Sequence, residues 1–115
     1  MPFVYLIVRE DLSAAQQVVQ SCHAAVEAVR YLYPPDLPHP HLVVCAVADE
    51  PALWRLLQRL QRQSVRLRAF FESDRANELT ALATEPVFGM TRRLFRNLRL
   101  LTPEQKPALS KGDEA

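Results

Sequence analysis

Phe3-Val4-Tyr5-Leu6-Ile7-Val8, followed after the short turn Arg9-Glu10-Asp11-Leu12 by Ser13-Ala14-Ala15-Gln16, is the stretch on which the fold depends. Consecutive apolar, β-branched and aromatic residues make a strand covered on both faces, because a strand with one wet face alternates. Ser13 with Gln16 three residues on forms a capping box, and no Gly or Pro interrupts the chain from there to Leu32. A central strand leading into a helix over Ala14 to Leu32 is the expectation. Along that helix Ala15, Val18, Val19, Cys22, Ala25, Val26 and Val29 form an apolar stripe expected to face the core. Gln16, Gln20, His23 and Glu27 recur at steps of four, three and four as a second, polar row.

Working outward, Pro34-Pro35-Asp36-Leu37-Pro38-His39-Pro40 is an exposed connection, since its prolines lack donors and fix φ. His41 to Val47 reads as a second strand. Asp49 caps a second helix that carries Pro51 in its first turn, buries Leu53, Leu56, Leu57 and Leu60, and ends near Gln63. Val65 to Phe71 and Leu79 to Thr84 read as two more strands joined by a short polar connection. Pro86 and Gly89 precede a last helix over Met90 to Leu98, and Thr102 to Ala115 is a polar tail without periodicity. The order βαβαββα predicts an α/β fold, a three-layer α/β/α sandwich around a four-stranded, mixed but mostly parallel sheet. Residues 1–101 form one domain on this reading, and 102–115 a disordered tail.

The whole chain has 115 residues, 49% hydrophobic and 23% charged, which suits a single core. Fourteen Lys+Arg against thirteen Asp+Glu give +1, so any charge argument is local. Gly89 and Gly112 are the only glycines, which excludes Gly-rich phosphate cradles and dinucleotide fingerprints. No apolar run is long enough to span a bilayer and Met1 to Val8 does not read as a signal segment, so a cytoplasmic protein with no membrane partner is expected. Cys22 and Cys45 lack CxxC spacing and read as small buried hydrophobes, so neither a disulfide framework nor a zinc site is expected. No metal and no cofactor is anticipated.

Cys22 beside His23 is rejected as a nucleophile and base, because helix neighbours point about 100° apart. His39 and His41 straddle Pro40 without a third ligand nearby and read as surface histidines. The polar row is either the helix's solvated face or a set of directional donors, its amides and imidazole differing from the Lys and Glu of ordinary wet faces. Glu72 and Asp74 lie in the connection between two strands and Thr80 begins the second, where ligands bind in open α/β sheets. Arginine supplies twelve of the fourteen basic residues, and both lysines, Lys106 and Lys111, fall in the tail. Arg92, Arg93, Arg96 and Arg99 cluster with no acid between Phe88 and Leu101, while Arg55, Arg59 and Arg62 share a helix face. Such patches either pair with phosphate or are plain surface.

The strand FVYLIV, the pair Asp11-Leu12, the segment from Ala15 to Ala25 and Leu79-Thr80-Ala81-Leu82-Ala83 together resemble the type II (archaeal and eukaryotic) peptidyl-tRNA hydrolases. Gln20, His23 and Ala24 match that family's Gln-x-x-His-Ala, and Thr80 matches the threonine that opens its fourth strand. The family's helix lysine falls on Gln16, and its Gly-rich turn is shortened to Ser13-Ala14-Ala15. The resemblance spans Phe3 to Pro86. It implies hydrolysis of the ester joining a peptide to the 3′ ribose of tRNA, with peptidyl-tRNA or tRNA as partner. Glu72 or Asp74 would orient water, Gln16 and Gln20 would donate hydrogen bonds, and Arg92, Arg93, Arg96 and Arg99 would hold phosphate. Two other readings stand beside this: a non-catalytic tRNA-binding module, or a homodimeric interaction module that keeps the fold.

Overall fold

In the computed structural model, which describes residues 1–102, Phe3–Arg9 forms strand β1 at the middle of the sheet. Helix α1 (Ala14–Tyr31), β2 (His41–Val47), α2 (Glu50–Arg62), β3 (Leu67–Glu72), β4 (Glu78–Thr84) and β5 (Arg99–Leu100) follow, with 3₁₀ segments over Ser73–Arg75 and Gly89–Phe95. The sheet has five strands in the order β3-β4-β1-β2-β5. The crossover through α1 makes β2 parallel to β1, with Phe3 beside His41 and Arg9 beside Val47. Every other pair is antiparallel: β1 with β4, β2 with β5, and β3 with β4. The short connection from β3 to β4 permits no other pairing, and its last residues, Ala76 and Asn77, take φ of 54° and 59°.

Alternation along β1 sends Tyr5 and Ile7 into one core with Leu53, Leu56, Leu57 and Leu60 of α2, and with Leu79, Leu82 and Phe95. Val4, Leu6 and Val8 point the other way, against Ala24 and Ala28 of α1 and Ala81 and Ala83 of β4. Ser13 caps α1 through Gln16 N–H, and Asp49 caps α2 through Ala52 N–H, both as expected.

Four expectations are corrected. The sheet has five strands rather than four, and it is mostly antiparallel rather than mostly parallel. The last helix is a 3₁₀ segment ending at Phe95, after which Arg99 and Leu100 pair with β2. Two such residues are too few to show a period. Helix α1 is turned over: its buried residues are Gln20, Ala24 and Ala28, whereas Val18, Val19, Cys22, Val26 and Val29 are exposed. Small Ala24 and Ala28 let the helix approach the alanines of β4 closely, and the polar row finds partners on the sheet. Apart from Thr102, the proposed tail lies outside the described residues.

Candidate active site

The rotation of α1 brings Gln20, with no exposed surface, against β4 at an irregularity of the sheet. Phe70 pairs with Ala81 and Phe71 with Leu79, so Thr80 is an extra, unpaired residue, a β-bulge. The bulge turns the Thr80 hydroxyl toward α1, where it donates to Gln20 Oε1 at 2.6 Å. Gln20 Nε2 donates to Glu72 Oε1 at 2.7 Å and to Gln16 Oε1 at 3.3 Å. The amide orientation follows from chemistry, because an ionised carboxylate only accepts and must meet the NH₂ end. The hydrogen bond from Gln20, joined by the Asp74 N–H, holds the Glu72 carboxyl below its ordinary value of 4.5.

Both N–H bonds of the Gln20 amide are thereby directed within the cluster, to Glu72 and Gln16. Gln16 is exposed, and its Oε1 faces Gln20. Of the two acids in the connection, Glu72 joins the cluster through its side chain, while Asp74 contributes its backbone N–H at 3.3 Å from Glu72 Oε2. His23, one turn along α1, stacks on Phe70 with ring centroids 4.3 Å apart and planes 8° from parallel. Glu27, one turn further, accepts from Arg68 Nε at 3.2 Å. The row read from helical spacing therefore lies along the β3 flank of α1.

The arginines are elsewhere. Arg92 donates to the Tyr5 hydroxyl at 3.0 Å and covers the Phe3 ring at 3.6 Å, so it sits on the α2 face of the sheet, opposite Gln20. Arg92, Arg93 and Arg96 border a cavity of about 380 Å³ floored by Tyr5, Val43 and Cys45. Arg55, Arg59 and Arg62 are exposed on α2, which packs on that same face. Arg99 pairs with Glu10, so it does not continue the unpaired basic surface. Cys45 is buried, and burial pushes its thiol up to about 11, whereas Cys22 is exposed.

Sequence reasoning passed over Arg9, which is only 5% exposed at the end of β1. Its Nε and Nη2 fork onto Asp11 at 3.0 and 2.9 Å, and Nη1 reaches Glu78 at 2.9 Å and the Leu79 carbonyl at 3.1 Å. The guanidinium holds both the Asp11 and Glu78 carboxyls below their ordinary range. Glu50 on α2 accepts the Leu79 N–H at 3.0 Å, next to the bulge. A charged residue closing an apolar strand, followed two positions later by an acid, was the available signal. With its fork occupied, Arg9 ties β1, β4 and the start of α2 together rather than offering a free cation.

Among the described residues no group of three His, Cys, Asp or Glu side chains is placed to hold a metal ion, and no helix is long and apolar enough to cross a membrane. No protein-family model matches the chain, and no curated protein is significantly similar to it. Among solved structures the chain is similar to Atu0240, a protein of unknown function from Agrobacterium tumefaciens strain C58. The TM-score is 0.63 at 15% identity, over 88% of this chain and 98% of that one, a likeness that shows the fold alone.

Proposed function

We propose that the protein is a peptidyl-tRNA hydrolase-like enzyme that cleaves the ester between a peptide and the 3′ ribose of tRNA, with Glu72 and Gln16 as its working groups. The observation that carries the reading is the buried Gln20, bonded at once to Thr80, Glu72 and Gln16. A glutamine wholly removed from water and used to fix one carboxylate and one amide at a surface is a positioning device. Glu72, ionised at neutral pH, orients a water by accepting its hydrogen bond. It is too acidic to be a strong base. Gln16 donates an N–H bond to the ester carbonyl as negative charge develops there. As the acyl–oxygen bond breaks, the proton of the attacking water passes to the departing ribose oxygen. A neutral amide in place of a cation gives slow turnover, since one lost electrostatic contact typically costs about 10²-fold or more.

Backbone phosphates fall to Arg93 and Arg96, exposed and without an ion-pair partner among the described residues. Their place across the sheet from Gln20 favours a second reading, in which the protein binds tRNA without hydrolysing it. Deacylation of N-blocked aminoacyl-tRNA and salt-dependent tRNA binding, measured together, decide. The hydrolase reading expects slow wild-type turnover, loss in Glu72→Gln and a gain in Gln16→Lys. Binding without hydrolysis by any of the three proteins leaves the binding module, and a failure of Arg93→Glu/Arg96→Glu to weaken binding removes that surface from either.

A further inference from the structure

We propose that the cavity on the α2 face, between the 3₁₀ segment Gly89–Phe95 and β2, binds a small phosphate monoester with an apolar body. The 3₁₀ segment builds it, because at three residues per turn positions three apart eclipse one another. Arg92 and Phe95 make one such row, and both meet Tyr5. Arg92 donates to the Tyr5 hydroxyl at 3.0 Å, and Phe95 stacks on the ring with centroids 4.0 Å apart and planes 8° from parallel. Arg93 and Arg96 make the next row, and both are exposed where they border the cavity.

Two features distinguish this cavity from plain basic surface. Tyr5 is 4% exposed, and its hydroxyl, having accepted from Arg92, has no acceptor for its own proton among the described residues. A buried donor left unpaired is costly, so an acceptor seated in the cavity completes it. The second feature is the uniform sign of the charge. No Asp or Glu borders the cavity, and none lies between Phe88 and Leu101 in the chain. On the floor Cys45, its thiol pushed up to about 11 by burial, stays neutral.

The donors select the ligand. Arg93 and Arg96 bring two positive charges on planar forks, and the Tyr5 hydroxyl brings one more donor. A phosphate monoester matches them with about two negative charges at neutral pH and three terminal oxygens, whereas a carboxylate has one charge and two oxygens. The rest of the wall is apolar, formed by Val43, Cys45, Phe95, Leu98 and Leu100. A bare phosphate ion leaves that wall wet, and an apolar ester group covers it. At about 380 Å³ the cavity is near the small end of ligand sites, which suits a compact group such as a phenyl ring. The site shares Arg93 and Arg96 with the tRNA surface proposed above, but it lies across the sheet from Gln20 and does not depend on the hydrolase chemistry.

Calorimetric titration of the full chain at pH 7 with phenyl phosphate, benzoate and inorganic phosphate tests the inference, and amide NMR shifts locate the binding. Phenyl phosphate is expected to bind about tenfold or more tighter than either of the others and to shift the amides of Tyr5, Val43 and Leu98. Arg93→Gln/Arg96→Gln is expected to weaken it about tenfold or more, and Tyr5→Phe about fivefold through the lost O–H. Circular dichroism verifies both variants, and the arginine pair, being exposed, decides if Tyr5→Phe does not fold. No binding of phenyl phosphate at about 10 mM overturns the proposal. So does equal affinity for inorganic phosphate or benzoate, a set of shifts confined to other faces, or an affinity unchanged in the arginine variant. No tRNA enters the titration, so its failure leaves the hydrolase reading standing.

Discussion

Replacing Gln20 with leucine tests whether the cluster is a coupled unit. The substitution keeps the volume and removes the amide from a position with no exposed surface. Thr80, equally buried, is left with the Phe70 carbonyl at 3.4 Å, at the edge of hydrogen-bonding distance. A buried hydroxyl deprived of its partner costs about 1–3 kcal/mol. Glu72 rehydrates at the surface and adds nothing to that figure. We expect Gln20→Leu to destabilise by about 2 kcal/mol, near 10 °C in Tm for a domain of this size. Thr80→Val, which strands the Gln20 carbonyl oxygen instead, costs about 1–2 kcal/mol. The double variant removes donor and acceptor together and is expected to fall short of the sum by at least 1 kcal/mol. Urea unfolding of the four proteins at pH 7 and one concentration measures this cycle. The Glu72 carboxyl, freed of its amide partner, should move back up toward 4.5 in the Gln20→Leu protein, read by NMR titration. A cost below about 0.5 kcal/mol for Gln20→Leu, or additivity within about 0.3 kcal/mol, would refute the coupling.

Arg9→Met strips Asp11 and Glu78 of their shared cation, and a loss of about 2 kcal/mol is expected, less than the about 3–5 kcal/mol of a wholly buried pair because both acids are partly exposed. Since Arg9 depresses both carboxyl pKa values, its contribution is complete above about pH 4.5 and disappears as pH falls through the folded values, so wild-type and variant urea midpoints should converge in acid. Ala76→Gly relieves a left-handed residue, φ 54° and ψ 36°, in the turn before β4 and should raise stability by about 0.5–1 kcal/mol in thermal melts, with no effect on β4 pairing in amide exchange.

The elements whose apolar residues face the chain's own core were readable as written. The strands β1, β2 and β4, together with α2 and its four buried leucines, keep their expected places because burial, period and capping agree there. The orientation of α1 was not readable, because periodicity locates an apolar face without saying whether the same chain covers it. Sheet direction escaped for a similar reason. Alternating strands and helices do make two crossovers between strands that run the same way, but β3 enters at the far edge beside β4 rather than beside β2, so only β1 and β2 pair in parallel. Of the site, the row Gln16, Gln20, His23 and Glu27 was visible as helical spacing. The bulge at Thr80 had no signature, since one extra residue in LTALAT leaves it looking like any strand. The choice of Glu72 over Asp74 rested on that bulge and on the start of the 3₁₀ turn at Ser73.

The two helices anchor themselves in opposite ways, and this sets the character of the site. The α2 helix buries Leu53, Leu56, Leu57 and Leu60, each supplying about 1.5–3 kcal/mol of hydrophobic stabilisation, and apolar area outweighs its one directional tie to the sheet, at Glu50. The α1 helix buries one glutamine and two alanines, with far less apolar surface. What fixes its rotation is directional: Gln20 between Thr80 and Glu72, His23 on Phe70, and Glu27 on Arg68. A helix held mainly by hydrophobic area tolerates small rotations, since area changes little with angle. A helix held by hydrogen bonds of 2.6 and 2.7 Å does not, because such bonds weaken steeply when misaligned. Holding Gln16 and Glu72 about the same buried amide therefore requires the second kind of anchor. Turning the polar row inward to provide it is what exposes the valines.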